Sequence, residues 1–217
     1  MMAKVFDFPI YNAPTQEKMV ALTFDIGWGK TVANPVLDIL QRKRVAHATF
    51  FLAAPWVLKN PATARRIKRM GYEIGSHGYL HLPYSLHTNT WIEAQVKQAE
   101  QVIFQVIGIH TELIRTPYGN LNLRVVKKLH QMGYNVVKWR IDSWDWKNQG
   151  VRRIVNRVLT RVHPGDIILL HASDSAKQTA AALPYIIDGL RARGYRLVTV
   201  STIIRRMQQP APSARPT

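Results

Sequence analysis

Short apolar runs and helix-like segments alternate about seven times along these 217 residues, and this alternation limits the fold more than any other feature. Ile167-Ile168-Leu169-Leu170 is unbroken, and Val20-Ala21-Leu22-Thr23-Phe24 is apolar or β-branched throughout. Such runs suit strands buried on both faces, as in parallel sheets. Strands are expected near 20–25, 47–52, 72–75, 113–114, 134–138, 166–170 and 195–200. Between them lie helices opening at Asn34-Pro35 and at Pro61. A third opens at the capping-box-like Thr90-Trp91-Ile92-Glu93. Others cover 122–131, 151–162, 181–193 (Pro184 in its first turn) and 201–207. Repeated β-α units imply parallel strands with right-handed crossovers. Seven of them suit a closed or nearly closed α/β barrel, with an open doubly wound sheet as the alternative. Residues 1–18 read as an irregular lead-in, 19–207 as one domain and 208–217 as a frayed tail.

Composition closes off several classes. The chain has no cysteine, which excludes disulfides, thiolate chemistry and cysteine-bound zinc. No apolar run is long enough to span a bilayer. Met1 to Lys18 shows no basic segment followed by an apolar stretch, so no export signal is expected, although a chain trimmed of an anchor would read the same. Lysine and arginine total 30 against 13 acidic residues, a net charge of +17. That excess should attract polyanions, either nucleic acid or an anionic cell-wall polymer. Each local basic run, such as Arg65-Arg66 with Lys68-Arg69, reads as a solvated helix face. Gly27-Trp28-Gly29-Lys30-Thr31 imitates a phosphate-binding loop, but Phe24 stands where that motif requires its first glycine. Nucleotide hydrolysis is set aside.

Polar residues that carry chemistry gather after the strands. Asp25 ends the first run and glycines follow it. His77 and His81 follow the third strand, Arg115 and Tyr118 the fourth, Asp142 and Asp145 the fifth, and His171 the sixth. In a parallel barrel these five loops rise at one end, where barrel active sites are built. Asp25 alone reads equally well as a helix cap, and two loop histidines alone read first as ordinary hydrogen-bonding groups. Their convergence turns the reading towards a site. Imidazoles suit zinc. His171 is either a core histidine or a general acid–base group, and Asp145-Trp146 could supply its orienting carboxylate and an apolar wall. Trp28, Trp144, Trp146 and Tyr118 could stack on sugars, although each alone reads first as a loop anchor.

Thr23-Phe24-Asp25, His77 with His81, Arg115-Thr116-Pro117-Tyr118-Gly119, Asp142-Ser143-Trp144-Asp145-Trp146 and Leu169-Leu170-His171 together resemble the five motifs of the NodB-homology polysaccharide deacetylases, carbohydrate esterase family 4, over about 20–204. The stretches 24–29 and 171–179 further resemble the sporulation-associated PdaB-like branch. The resemblance implies a distorted (β/α) barrel of about seven parallel strands. It implies metal-dependent hydrolysis of N-acetyl groups on a peptidoglycan or chitin-like polymer, at the cell wall or spore. It also implies residue roles. His77 and His81 would hold a divalent metal, zinc in most members. Asp25 would act as base, oriented by Arg115. The Tyr118 backbone N–H would stabilise the oxyanion, and His171, tuned by Asp145, would protonate the leaving amine.

Two positions depart from the family pattern. Ile26 replaces the acidic third metal ligand, so weak metal binding is expected. Gly78 replaces a serine or threonine that helps to set the histidine loop. A non-catalytic glycan-binding protein on the same scaffold is therefore the alternative function. A nucleic-acid binder rests on charge alone and no specific nucleic acid is expected.

Overall fold

The structure is a computed structural model that describes residues 6–209. The first five residues of the expected lead-in and positions 210–217 of the expected tail lie outside the described residues. The strands are β1 (Met19–Ile26), β2 (Thr49–Leu52), β3 (Glu73–Ser76), β4 (Leu113–Ile114), β5 (Asn135–Val136), β6 (Ile141–Asp142), β7 (Ile167–His171) and β8 (Arg196–Val198). Every pairing between them is parallel. Seven strands follow the curled order β5-β4-β3-β2-β1-β7-β6. β8 pairs with Met19–Ala21 at the start of β1, while β2 pairs with Thr23–Ile26 further along.

The curl is open between its end strands β5 and β6, and the lead-in fills the part of that seam between the end of β5 and the start of β7. Ile10 bridges Val137 on one side and Asn12 bridges Asp166 on the other. Ile10 donates to the Val136 carbonyl at 2.8 Å and accepts from Lys138 at 2.7 Å. Ile10 and Ala13 are buried. Strand edges left open in this way expose unpaired backbone groups, and Ile10 to Ala13 satisfy them.

Helices α1 (Ala33–Arg42), α2 (Ala54–Lys59), α3 (Pro61–Arg69), α4 (Asn89–Ile107), α5 (Leu123–Gln131), α6 (Val151–Leu159), α7 (Thr179–Ala192) and α8 (Val200–Gln208) surround the sheet. The core falls into three clusters, and strand alternation separates the two largest. Leu22, Phe24, Ile26, Phe50, Leu52, Ile168 and Leu170 join the outer core under the helices. Ala21, Phe51, Leu113, Ile167 and Val198 fill the barrel interior.

Local boundaries differ from the expectations in instructive ways. The stretch expected as one strand over 134–138 is two strands, because Lys138 turns to pair with Ile10 and Arg140 restarts pairing on the Ile167 carbonyl. Helix α2 was not anticipated; its proline falls in the first turn, where a missing N–H is harmless. Helix α1 begins before Asn34, after Val32. The cap of α4 is Thr88, whose side chain accepts from the Trp91 N–H at 3.2 Å, and not Thr90. Glu93 is thereby freed to pair with Lys97 and Lys128. Helix α7 starts at Thr179, so Pro184 sits beyond its first turn. Helix α8 carries Gln208, which was expected in the tail.

Candidate active site

The register of β1 against β7 sets Asp25 directly beside His171, and against β2 beside Phe51. All three therefore face the barrel interior at the carboxyl end of the strands. One cleft of about 390 Å³ opens there. It is lined by Asp25, Trp28, His77, His81, Tyr118 and Trp146, with His171 on its wall. Arg115 and Asp145 do not line it; both are fully buried behind the residues that do.

Arg115 is consumed by its scaffold. Its Nη1 donates to Asp25 Oδ1 at 2.7 Å and to Thr23 Oγ1 at 2.9 Å. Nη2 donates to the Lys138 carbonyl at 2.9 Å, and the guanidinium lies 4.2 Å from the Phe51 ring centroid. Few N–H groups remain for a ligand, so Arg115 acts on Asp25. Burial by itself would raise the Asp25 carboxyl, but the positive charge of Arg115, helped by the nearby imidazoles, outweighs it and holds Asp25 below its ordinary value. Removing one partner of such a buried pair costs about 3–5 kcal/mol.

His171 is the mirror case. Asp145 Oδ1 takes the Nδ1 proton at 2.8 Å, while Oδ2 accepts from the His171 N–H at 2.7 Å and from Thr179 Oγ1 at 2.6 Å. Burial would lower the imidazole, yet the Asp145 carboxylate prevails and His171 is raised. Two neighbouring groups on adjacent strands are thus driven apart, one towards the carboxylate and the other towards the imidazolium. That divergence is how acid and base roles are assigned within one site.

His77 Nδ1 donates to the Arg115 carbonyl at 2.8 Å, which fixes the tautomer and leaves Nε2 as the free lone pair, 3.9 Å from Asp25 Oδ2. The His77 and His81 ring centroids lie 5.3 Å apart. Desolvation lowers both imidazoles, His81 to about 4, although His81 as a whole stays exposed at the rim. Neutral rings in this tautomer suit metal ligation. The third donor is missing. Strand alternation puts Ile26 on the face opposite Asp25, fully buried in the outer core. Among the described residues no three His, Asp or Glu side chains converge as a ligand set. The residues present therefore do not fit a three-ligand catalytic zinc site.

Gly78 takes a φ of +77°, and a Cβ there would collide with the hydroxyl of Tyr84. Tyr84 is fully buried, and its hydroxyl has no hydrogen-bond partner among the described residues. Gly78 is thus required by its backbone conformation and by Tyr84, which fills the space next to it.

Aromatic residues frame the mouth. Trp28, Tyr118 and Trp146 are 57%, 66% and 45% exposed and line the cleft, as stacking surfaces should. Trp144 does not line it: the Arg157 guanidinium sits 3.1 Å and the Lys147 ammonium 4.0 Å from its ring centroid. Among the described residues, four non-glycine residues have positive φ, and three of them, Tyr118, Trp144 and Asn148, stand in the cleft loops. Each costs about 1–2 kcal/mol, and such strain gathers at functional sites.

The loop that imitates a phosphate-binding turn does cradle an anion, and that anion is internal. Asp174 accepts from the backbone N–H groups of Lys30, Thr31 and Val32 at 2.9–3.1 Å. A side chain at Gly29 would overlap this carboxylate. The loop after β7 therefore locks the loop after β1, and Ser173 adds a bond from the Gly27 N–H at 2.8 Å. Sequence reasoning assigned no role to Thr23, Ser173, Asp174 or Thr179, nor to Trp139, which lines the cleft. Ser173 and Asp174 follow His171 so closely that their shared loop was the available signal. Thr23 stood in the first motif beside Asp25 without a role of its own, and Trp139 gave no signal.

The family model described as polysaccharide deacetylase matches residues 12–137. A Bacillus cereus peptidoglycan-N-acetylglucosamine deacetylase is 37% identical over 198 residues, covering 90% of this chain and 92% of that protein. The Bacillus subtilis protein YlxY is 33% identical over 196 residues; the match covers 90% of this chain but 60% of YlxY. Among solved structures, a CE4 family pseudoenzyme from Bacillus anthracis superimposes with a TM-score of 0.85 at 29% identity, covering 92% of this chain and 70% of that one.

Proposed function

Because the chain belongs to the polysaccharide deacetylase family, we propose that its cleft binds an N-acetylated cell-wall glycan and slowly hydrolyses its acetamido groups to acetate and free amine. The observation that carries this reading is the register-paired Asp25 and His171, each held by its own buried partner and shifted in opposite directions. Asp25, kept ionised by Arg115, takes the proton of the attacking water as the C–O bond forms. His171, kept protonated by Asp145, delivers a proton to the amide nitrogen as the C–N bond breaks. The Tyr118 backbone N–H is the oxyanion donor, and Trp28, Trp146 and the Tyr118 ring hold the sugars. The family is generally metal-dependent. The donor set stops at His77 and His81 among the described residues, and weak ion binding and low turnover follow from that. The resemblance to the PdaB-like branch supports a substrate in the wall or spore cortex and a location there, and the net charge of +17 supports attraction to anionic wall polymers.

Acetate release from N-acetylated peptidoglycan tests the reading, comparing the native chain with Asp25→Asn and His171→Ala. Release that disappears in both variants supports it; equal release from all three proteins would move the chemistry elsewhere. The second reading, glycan binding without turnover, is favoured by the buried Ile26 and by the similarity to a protein described as a pseudoenzyme. Binding to the same glycan with no acetate released would establish it.

A further inference from the structure

The end of the barrel opposite the cleft holds a second pocket, of about 570 Å³. It lies where the chain enters β2 and β8, at the amino ends of the strands. Met19, at this end of β1, is about 20 Å from Asp25 along the strand. Arg44, His47, Arg191 and Arg196 line the pocket with Tyr195 and Thr202, and no acidic residue lines it. Arg205 donates to Thr202 Oγ1 at 2.8 Å and brings a further cation to the rim. The acids nearby are engaged elsewhere: Asp188 by Lys43, Glu73 by Thr49 and Ser201, and Glu17 by Arg206 and, at 3.4 Å, by Arg196.

Arg44 is the positive-φ residue that stands outside the cleft loops, at 49°. Helix α1 ends with the Arg44 N–H donating to the Gln41 carbonyl and the Val45 N–H to that of Leu40, both at 2.9 Å. This termination favours glycine at its left-handed position. Helices α3, α5 and α7 end in the same pair of bonds and place Gly71, Gly133 and Gly194 there. Arginine in α1 therefore carries a backbone strain that the chain avoids elsewhere. The helix terminus does not need its charge. Arg42 and Lys43 already complement the dipole, and Arg191 donates to the Lys43 and Arg44 carbonyls at 2.7 and 3.1 Å. Arg44 is exposed and forms no ion pair among the described residues. A strained cation without a structural partner, in a pocket without acids, suits an anionic ligand.

We propose that this pocket docks a phosphodiester polymer that carries no bases, a polyol phosphate, and so tethers the barrel by one end while the cleft at the other stays open. Guanidinium forks match phosphate oxygens, and cations beyond the pocket give a chain of phosphates more to hold than a single ion. Bases would need stacking surfaces. The pocket offers one ring, Tyr195, half-buried with its hydroxyl donating to the Val162 carbonyl at 3.2 Å. The proposal gives the basic surface one place to act and does not depend on turnover.

Calorimetry on the full chain tests it, with polyglycerol phosphate, inorganic phosphate and single-stranded DNA of equal phosphate number as probes. The native chain should bind the polymer more tightly than either other probe, and the affinity should fall with salt. Arg44→Gly should weaken polymer binding about threefold, and Arg44→Gly with Arg196→Gln about tenfold. Arg44→Lys should retain it. Arg152→Gln with Arg153→Gln removes the same charge from α6 and should change little. Glycine also relieves the strain, so Arg44→Gly should raise Tm by about 2–4 °C while binding falls. Acetate release from a short soluble substrate should be the same in the native chain and the Arg44 variants, which separates this site from the cleft. Equal weakening by the two double variants would reduce the site to diffuse charge and overturn the proposal. So would a lowered Tm in Arg44→Gly, absence of polymer binding, or DNA bound more tightly than the polymer.

Discussion

Ile26→Asp asks whether position 26 is all that separates this site from a complete ligand set. Ile26 is fully buried among outer-core side chains. Losing its burial costs about 2–3 kcal/mol, and placing a carboxyl there adds about 1–3 kcal/mol on mutational scales. The metal-free variant should therefore be less stable by about 3–5 kcal/mol, which for a chain of this size lowers Tm by about 6–20 °C. If the new carboxylate leaves the outer core at the Gly27 turn and reaches His77 and His81, zinc at a hundredfold excess over its Kd returns about 2.7 kcal/mol, or roughly 5–11 °C. The native chain, with two imidazoles, should gain far less. Thermal unfolding with chelator and with zinc, zinc titration by calorimetry, and acetate release on both proteins give the comparison. A variant insensitive to zinc would show that strand alternation keeps position 26 on the helix side. Tight zinc binding by the native chain, lost in His77→Ala, would refute the claim that the set is incomplete.

Four further outcomes are expected. Asp145→Asn removes the carboxylate that raises His171, so burial prevails, the basic limb of the pH–rate profile moves to lower pH and kcat falls by roughly 10²-fold; an unchanged limb would free His171 of the acid role. The same variant should lose the stability that the raised His171 supplies below its unfolded value of about 6.5 and gives up as pH rises through its folded value, while the Asp25 contribution, present above about 3.9 and lost as pH falls through its lowered folded value, should persist. Gly78→Ser, although it restores the usual family residue, should destabilise by about 2–4 kcal/mol through its positive φ and the collision with Tyr84; Tyr84→Phe should recover part of this in chemical denaturation, and no loss in the single variant would refute the steric argument. Cosedimentation with sacculi, with and without teichoic acid, should weaken between 0.1 and 1 M salt as the Debye length falls from about 10 to 3 Å; binding indifferent to salt would remove the basic surface as a targeting device.

The sequence by itself determined a parallel α/β sheet covered by helices, because unbroken apolar strands alternating with helices have few ways to bury both faces; between a barrel and an open doubly wound sheet, the pattern alone did not choose. It also determined which end carries chemistry: Asp25, His77, Arg115, Asp145 and His171 all follow strands, and parallel pairing carries them to one end whatever the details of packing. Tertiary structure alone decided how these groups divide the work. Arg115 and Asp145 are withdrawn from the cleft, since a charge can be buried only with its partners satisfied, and those partners come from residues as distant as Thr23, Lys138 and Thr179. It also decided that Ile10 to Ala13 close the barrel seam. The phosphate-loop imitation was dismissed on the sequence for want of its first glycine, and only the packing of the loops after β1 and β7 revealed that it cradles an anion, Asp174. Gly78 read as a loss until Tyr84 was seen against it. Such facts depend on contacts between segments far apart in the chain, and local pattern holds no record of them.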